Sequence, residues 1–477
     1  MNKKIFLINP YPYYARGVEG TKYPPLGLLY IASFLRQHGY GNIKVYDANI
    51  AQKSNEYVID KVEHENPQIV GISANIVSHR AAIELAKCIR QKFPSVIIVA
   101  GGTYPSIFPE KYLTFFDYII DGEGEEAFLE LLKKIEQNMP VTTVAGIIYK
   151  EGGDIIRVSR KPLVSTVDQL PFPAYDLLSP PLAEYSRKGR VVKKFMAPIL
   201  TSRGCPYQCI YCNKNIFGSN FRARSPQNII DEIEFLYKNF SIRQIDILDD
   251  NFNLIPERAM RVMDMIIEKR YGLAINCHNG LRADRLDEKL AKKLKTAGVF
   301  KVGIGVESAD EKILKKIKKD LDLNAVKNAV SNLRKLGIIT HGYFILGLPG
   351  DNPASMQKTI DFAKKLNPHF INPATCIPFP GTALYEEVKQ NGVFLVNIED
   401  GLESGFFEGK VFFEIGPTLK KDVIQYSKEA FKQFYGRPYK IYDILVNLRS
   451  FQDFKWVVAM GWGVVMNIVR KKKYAAT

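Results

Sequence analysis

The chain has little tryptophan and histidine, 2 and 6 residues in 477. Its six cysteines, at 88, 205, 209, 212, 277 and 376, are too unevenly spread for a disulfide scaffold. The 26 prolines and 34 glycines fall short of a low-complexity composition. No internal repeat with a period of roughly 20–50 residues is visible, which excludes a solenoid or propeller. After Lys3 and Lys4 only the four apolar residues Ile5–Ile8 follow, too short a run for a secretory signal. An intracellular, cytoplasmic protein is expected. No G-x-G-x-x-G follows that run, because the next residues are Asn9-Pro10-Tyr11-Pro12-Tyr13. A dinucleotide fold is therefore poorly supported.

What is present is ordinary for a soluble globular chain: 46% hydrophobic and 24% charged residues. The length implies about three domains at roughly 150 residues each. Lys+Arg minus Asp+Glu is 66 − 50 = +16. That excess favours acidic partners: nucleic acid, an anionic membrane surface or phosphate-bearing cofactors. No nucleic-acid-binding motif accompanies it, so no nucleic-acid partner is expected.

Residues 1–140 alternate short apolar runs (Ile5–Ile8, Ile43–Tyr46, Ile69–Ser73, Val96–Gly101, Tyr118–Ile120) with amphipathic stretches such as Leu26–His38 and Arg80–Phe93. This rhythm predicts an α/β, doubly wound parallel sheet. Residues 141–195 are punctuated by Gly146, Gly152, Gly153 and five prolines, and read as a linker with a small β-hairpin near Ile147–Val158. From 196 to 395 six further apolar runs alternate with helical patterns, which predicts a (β/α)6 partial barrel with its chemistry at the strand C-termini. Residues 396–477 read as a basic helical region.

The strongest signal is Cys205-x3-Cys209-x2-Cys212, placed directly after an apolar strand. Three thiolates on one short loop can hold three irons of a cubane cluster and leave the fourth open. A structural zinc site would want four ligands. Only Cys277 and His278, on another strand end, could complete one.

This triplet, with Tyr211 before the last cysteine, resembles the radical S-adenosylmethionine (radical SAM) superfamily. The resemblance implies a [4Fe–4S] cluster on Cys205, Cys209 and Cys212, reductive cleavage of SAM to a 5′-deoxyadenosyl radical, and an electron donor such as flavodoxin or ferredoxin. It places Asp249, Asp250, Glu307, Ser308 and Gly347 at strand ends around SAM, with Tyr211 near the adenine.

Residues 1–140 are similar to the cobalamin-binding domain that precedes many radical SAM domains. The matching stretches are Tyr23–Leu28, Gly71–Ser73, Ala100–Ser106 and Asp121–Glu126. The resemblance puts Tyr23, Pro24, Gly27, Ser73, Gly101, Gly102, Thr103 and Glu123 around cobalamin (B12). Gly101 and Gly102 suit the close approach of a flat, bulky group. In the D-x-H-x-x-G alignment ending at Gly27, the Asp position is Lys22 and the His position is Pro24, which excludes histidine ligation from that loop. His79 could approach cobalt from another loop, but a lone histidine opening a helix reads first as a solvated or capping side chain. Cys88, Cys277 and Cys376 read as buried small apolar residues.

Phe434-Tyr435-Gly436-Arg437-Pro438 resembles a motif of cobalamin-dependent radical SAM proteins acting on tetrapyrrole or lipid substrates. Beyond it, Trp456–Val469 is a 14-residue apolar run holding both tryptophans and followed by Arg470-Lys471-Lys472-Lys473. It is too short to span a bilayer and suits either an interfacial helix on an anionic membrane or a terminal helix docked on the barrel. The expected activity is methyl transfer to an unactivated carbon of a small-molecule or lipid-like substrate. The alternatives are a cobalamin-dependent radical cyclase or C–C bond-forming enzyme, and a non-enzymatic cobalamin or redox sensor.

Overall fold

The computed structural model describes residues 3–12, 23–161, 166–188, 191–193, 195–399 and 410–447. Two parallel sheets dominate. The first is built on β1 (Ile5–Asn9), β2 (Ile43–Asp47), β3 (Ile69–Ser73), β4 (Ile97–Gly101) and β5 (Tyr118–Ile120). β1 is continuously apolar because both of its faces are covered. Ile5 and Leu7 join one core with the helices Leu26–Gln37 and Gly124–Glu136. Phe6 and Ile8 join the opposite core with Asn55–Glu65 and His79–Lys92.

The segment read as a linker belongs largely to this sheet. β6 (Ile147–Glu151) and β7 (Asp154–Arg157) form a hairpin that pairs antiparallel with β5, and β8 (Leu178–Ser179) pairs parallel with β2. The strand order is β7-β6-β5-β4-β3-β1-β2-β8. The physical reason is edge satisfaction: β5 and β2 would otherwise present unpaired backbone groups. Gly152 and Gly153, both at positive φ, supply the tight hairpin turn.

The second sheet is the expected partial barrel. β9 (Met196–Ile199) leads into the two-stranded ribbon β10 (Ser202–Arg203) and β11 (Arg222–Ala223). β12 (Gln244–Ile247), β13 (Ala274–Cys277), β14 (Val299–Glu307), β15 (Ile339–Leu346) and β16 (Phe370–Thr375) follow. They lie in sequential order beside β9, all parallel, and the barrel stays open between β9 and β16. Prolines at the first helical turn start the helices Pro226–Phe240, Pro256–Lys269 and Pro353–Leu366.

A final hairpin, β17 (Gly392–Phe394) with β18 (Phe413–Ile415), precedes the helix Lys420–Tyr435. That helix covers the free edge of β16. The Tyr435 hydroxyl accepts from the Ile371 amide at 2.8 Å and donates to the Ile371 carbonyl at 2.9 Å. Phe434 is buried, and Arg437 donates to the Phe434 and Lys364 carbonyls. Lys440, also buried, donates to Asp443 at 2.7 Å and to the Pro368 carbonyl. The Phe434–Pro438 motif therefore seals the barrel edge near the start of β16, the end opposite the strand C-termini. Trp456–Val469 and the basic residues after it lie outside the described residues. Among the described residues no helix is long and apolar enough to cross a membrane.

A buried ion pair, Arg224 with Glu232, fixes the end of the cysteine-bearing loop to the helix Pro226–Phe240. Arg224 also donates to the Leu200 carbonyl at 2.9 Å. Removing one partner of such a pair costs about 3–5 kcal/mol. Glu232→Gln is expected to lower the unfolding free energy by about that amount, measured by urea unfolding.

Candidate functional site

The cysteine loop, residues 204–221, springs from the β10–β11 ribbon at the C-terminal end of β9. Its two ends are tied together. The Arg224 amide donates to the Thr201 carbonyl at 2.9 Å, and the Arg258 guanidinium donates to the carbonyls of both Thr201 and Arg224. Gly204 has φ +83°, and a Cβ there would stand 2.2 Å from the Asn220 carbonyl oxygen, so the turn into the loop requires glycine.

The three thiols of this loop are neighbours. Burial pushes the Cys212 thiol up to about 11, followed by the charges of Asp250, Cys205 and Cys209. Asn251 Nδ2 stands 3.9 Å from Cys205 Sγ, and Asn251 Oδ1 is buried without a hydrogen-bond partner. Such an acceptor is ordinarily met by ordered water or a bound ligand. Asp249 is buried and fully engaged: it accepts from the Thr201 amide at 2.6 Å and from the Thr201 and Ser202 hydroxyls. It braces the root of the loop, whereas Asp250 is exposed beside Cys212.

Tyr211 is held neutral well above its usual range by burial, then by the Glu307 charge and Cys209, which places those three groups together. Glu307 ends β14 at φ +65° and pairs with Lys319 at 2.8 Å. Gly305 leaves the room for that pair: a Cβ there would meet Glu307 Oε1 at 2.6 Å. Ser308 is buried, and its hydroxyl accepts from the Asp310 amide at 3.1 Å. Gly347, at φ +82°, donates its amide to Asp351.

Inside the barrel a polar lining appears that the sequence pattern did not reveal. Asn276 donates to Asp246 at 2.8 Å, and the Tyr343 hydroxyl donates to the His278 carbonyl at 2.7 Å. Cys277 is buried with Asp249 and Asp246 as its charged neighbours, whereas Cys88, expected to be buried, is exposed. Among the described residues Cys277 and His278 belong to no group of three or more His, Cys, Asp or Glu that could hold a metal ion.

The opposing wall is the C-terminal edge of the first sheet. A cleft of about 200 Å³ there is lined by Gly27, Ser73, Gly101, Gly102 and Glu123, and also by Gly71, Gly122 and Gly124. Leu200, Arg203, Ile216 and Phe217 close it from the barrel side. It sits at the switch point of the sheet, where the strand order reverses between β1 and β3. A Cβ on Gly27 or Gly101 would meet nothing within 4 Å, whereas one on Gly102 would meet the Ala74 carbonyl at 2.3 Å. Gly102 is thus needed by the backbone, and Gly27 and Gly101 leave open space. Tyr23, Pro24 and Thr103 do not line the cleft. The Tyr23 hydroxyl crosses to Asp246 at 2.6 Å instead. His79 is neither solvated nor a cap: it is buried, its Nδ1 lies 2.7 Å from the Tyr112 hydroxyl, and Tyr104 packs on its ring.

Glu123 has a second role that the sequence reading missed. Its carboxylate holds Arg222 through two hydrogen bonds of 2.8 and 2.9 Å and contacts Arg203 at 3.1 Å, while Glu125 holds Arg203 at 2.7 Å. The only sequence hint was two arginines flanking the cysteine triplet.

Comparison with known proteins agrees with this geometry. Residues 199–363 match the radical SAM superfamily model, and residues 15–132 match the B12 binding domain. An uncharacterised methyltransferase of Pyrococcus horikoshii is 31% identical over 91% of this chain and 93% of its own length. The chain belongs to the radical SAM superfamily and carries an N-terminal B12-binding domain. A further relative, the anaerobic magnesium-protoporphyrin IX monomethyl ester cyclase of Rubrivivax gelatinosus, is 25% identical over 92% of this chain and 84% of its own. The methyltransferase TsrM of Kitasatospora setae, solved with cobalamin and a [4Fe–4S] cluster, shares the fold. The TM-score is 0.73 at 18% identity, covering 90% of this chain and 91% of that one.

The donor chemistry fits a superfamily cluster. Among the described residues no three His, Cys, Asp or Glu side chains converge as ligands of a single ion would. A cubane asks something else of its loop, one thiolate per iron, and three neighbouring thiols with no fourth ligand meet that demand.

Asp351, which receives the Gly347 and Leu348 amides, is raised by burial from 3.8 to about 6. The folded state holds this proton more tightly than the unfolded chain. The resulting stabilisation is full below the unfolded value and is lost as pH rises through about 6. Relative to the native chain, Asp351→Asn is expected to gain melting temperature as pH rises from 4 to 7, read by thermal unfolding across that range.

Proposed function

We propose that this chain is a cobalamin-dependent radical SAM C-methyltransferase. The observation that carries the reading is the shared cleft: Arg203, Ile216 and Phe217 of the cysteine-loop region form a wall of the same space that Gly27, Ser73 and Gly101 line from the first sheet. Cys205, Cys209 and Cys212 would hold the cluster. Tyr211, Asp250, Glu307, Ser308, Gly347 and Asn251 would surround SAM, with Asp249 bracing the loop. The glycine-lined cleft would receive cobalamin. The bound cofactors supply reductive cleavage of SAM and a transferable methyl group. The chain's residues bind and orient them, and the polar barrel lining around Asp246, Asn276, His278 and Tyr343 offers a substrate hydrogen-bond partners while excluding bulk water. An electron donor of the flavodoxin or ferredoxin class completes the cycle.

Anaerobically reconstituted protein is expected to carry about four irons and to lose reductive SAM cleavage when Cys205, Cys209 and Cys212 are all changed to Ala. Iron analysis and chromatography of 5′-deoxyadenosine check this; persistence of that product in the triple variant would remove the assignment. Methyl transfer predicts both S-adenosylhomocysteine and 5′-deoxyadenosine on turnover. The cyclase reading, favoured by the near full-length match to the magnesium-protoporphyrin cyclase, predicts 5′-deoxyadenosine alone.

A membrane-facing C-terminus is the second part of the reading. The helix Pro438–Val446 exposes Tyr439 (57%), Tyr442 (66%), Leu445 (50%) and Val446 (62%), spaced to form one apolar face. That helix leads in sequence toward Trp456, Trp462 and Arg470-Lys471-Lys472-Lys473. Each basic residue near an anionic surface contributes about 1 kcal/mol. The full chain is expected to co-sediment with anionic vesicles at low salt and less so at high salt. A chain truncated after Gln452 should bind less, and equal sedimentation of the two would assign the segment to protein packing.

A further inference from the structure

The segment Asp121-Gly122-Glu123-Gly124-Glu125, running from the end of β5 into the first turn of the helix Gly124–Glu136, alternates acids with glycines. Each acid meets an arginine. Asp121 pairs with Arg160, which also donates to the Asn215 carbonyl of the cysteine loop at 2.7 Å. Glu123 takes Arg222 and Arg203, and Glu125 takes Arg203. Arg203 and Arg222 are directly opposite each other in the β10–β11 ribbon, so the acids grip both legs of the loop that carries the cysteines. Arg203 stands two residues before Cys205. Its guanidinium lies 4.9 Å from the Tyr30 ring and 5.3 Å from the Phe217 ring, both in the cleft wall. The intervening Gly122 and Gly124 line the cleft. A Cβ on Gly124 would meet Ile31 at 2.6 Å.

We infer that this acid–arginine network is a positioning device: it fixes the cysteine loop relative to the glycine-lined cleft, and so sets the separation of the two redox groups they hold. The inference rests on the cofactor reading above. Arg203, Arg222, Glu123 and Glu125 act through the loop and the cleft, as positioning residues. Two physical arguments distinguish this from a purely stabilising role. Buried ion pairs contribute little net stability against apolar replacements of similar volume, so four charged side chains at 3–8% exposure are a poor way to glue two domains. They do, however, admit one geometry, because a guanidinium shared between two carboxylates loses directional hydrogen bonds when either element shifts. Chemistry between two bound groups needs that restraint, since a displacement of about 1 Å can cost on the order of 10²-fold in rate.

The test is pulsed electron paramagnetic resonance on the full-length holoenzyme, reading the dipolar distance between the reduced cluster and cob(II)alamin. The native chain, Glu125→Gln, Glu123→Gln and the double variant Glu123→Gln/Arg222→Gln are compared, with iron and cobalamin content and melting temperature measured alongside. The native protein should give one narrow distance. Glu125→Gln should keep both cofactors yet shift or spread the distance by about 1 Å or more, and Glu123→Gln should shift or spread it further. The double variant, which removes both partners, should recover melting temperature relative to Glu123→Gln without recovering the narrow distance. An unchanged narrow distance in the cofactor-loaded variants, or recovery of distance and melting temperature together, would make the network structural only. If Glu123→Gln fails to fold, Glu125→Gln alone decides between these outcomes. Absence of a cob(II)alamin signal from the folded native holoprotein would instead sink the cofactor reading itself.

Discussion

Charges buried between two domains are tolerated only where each meets its opposite, and here the carboxylates of Glu123 and Glu125 meet the guanidinium groups of Arg203 and Arg222. Desolvation alone would lower the Arg203 pKa, but Glu125 and Glu123 more than compensate and hold it charged. The site depends on this contact. One side of it is the C-terminal edge of the first sheet; the other is the ribbon from which the cysteine loop hangs. The glycine-lined cleft and the thiols consequently lie on either side of one ionic hinge-point that has a single satisfied arrangement.

Closure of the remaining open edges follows the same economy of backbone satisfaction. A six-stranded partial barrel leaves β9 and β16 unpaired on one side. At β16 the chain answers with Tyr435, whose hydroxyl bridges the amide and carbonyl of Ile371. At the first sheet it answers with the β6–β7 hairpin and β8. The Tyr435 contact lies near the start of β16, away from the strand C-termini, whereas the β6–β7 hairpin begins beside the C-terminal end of β5.

Much of the architecture was legible because it rests on local periodicity. The βα alternation and the six barrel strands fall within a few residues of the apolar runs read from the sequence; the run at Ile43–Tyr46, for example, is the strand Ile43–Asp47. Asp249 and Glu123 were legible as members of the site region but not in their roles. Whether a carboxylate faces outward or is consumed by neighbouring donors depends on what folds against it. Thr201 and Ser202 lie 48 and 47 residues from Asp249, and Arg222 lies 99 from Glu123. His79 was misread for the same reason, since its partner Tyr112 is 33 residues away.

The sequence by itself carried the local signature: three cysteines at cluster spacing after a strand, and the glycines of the strand-end loops that line the cleft. Those features are local, carried by spacing along one loop or one strand end. Only the tertiary structure decided which acids are free and which are spent, that Tyr23 reaches across to the barrel, and that Phe434–Pro438 seals an edge and does not line a site. Each of these is a contact between distant segments. Ion pairs and hydrogen bonds of that kind leave no periodic trace in the chain, because their partners are set by how the two sheets pack.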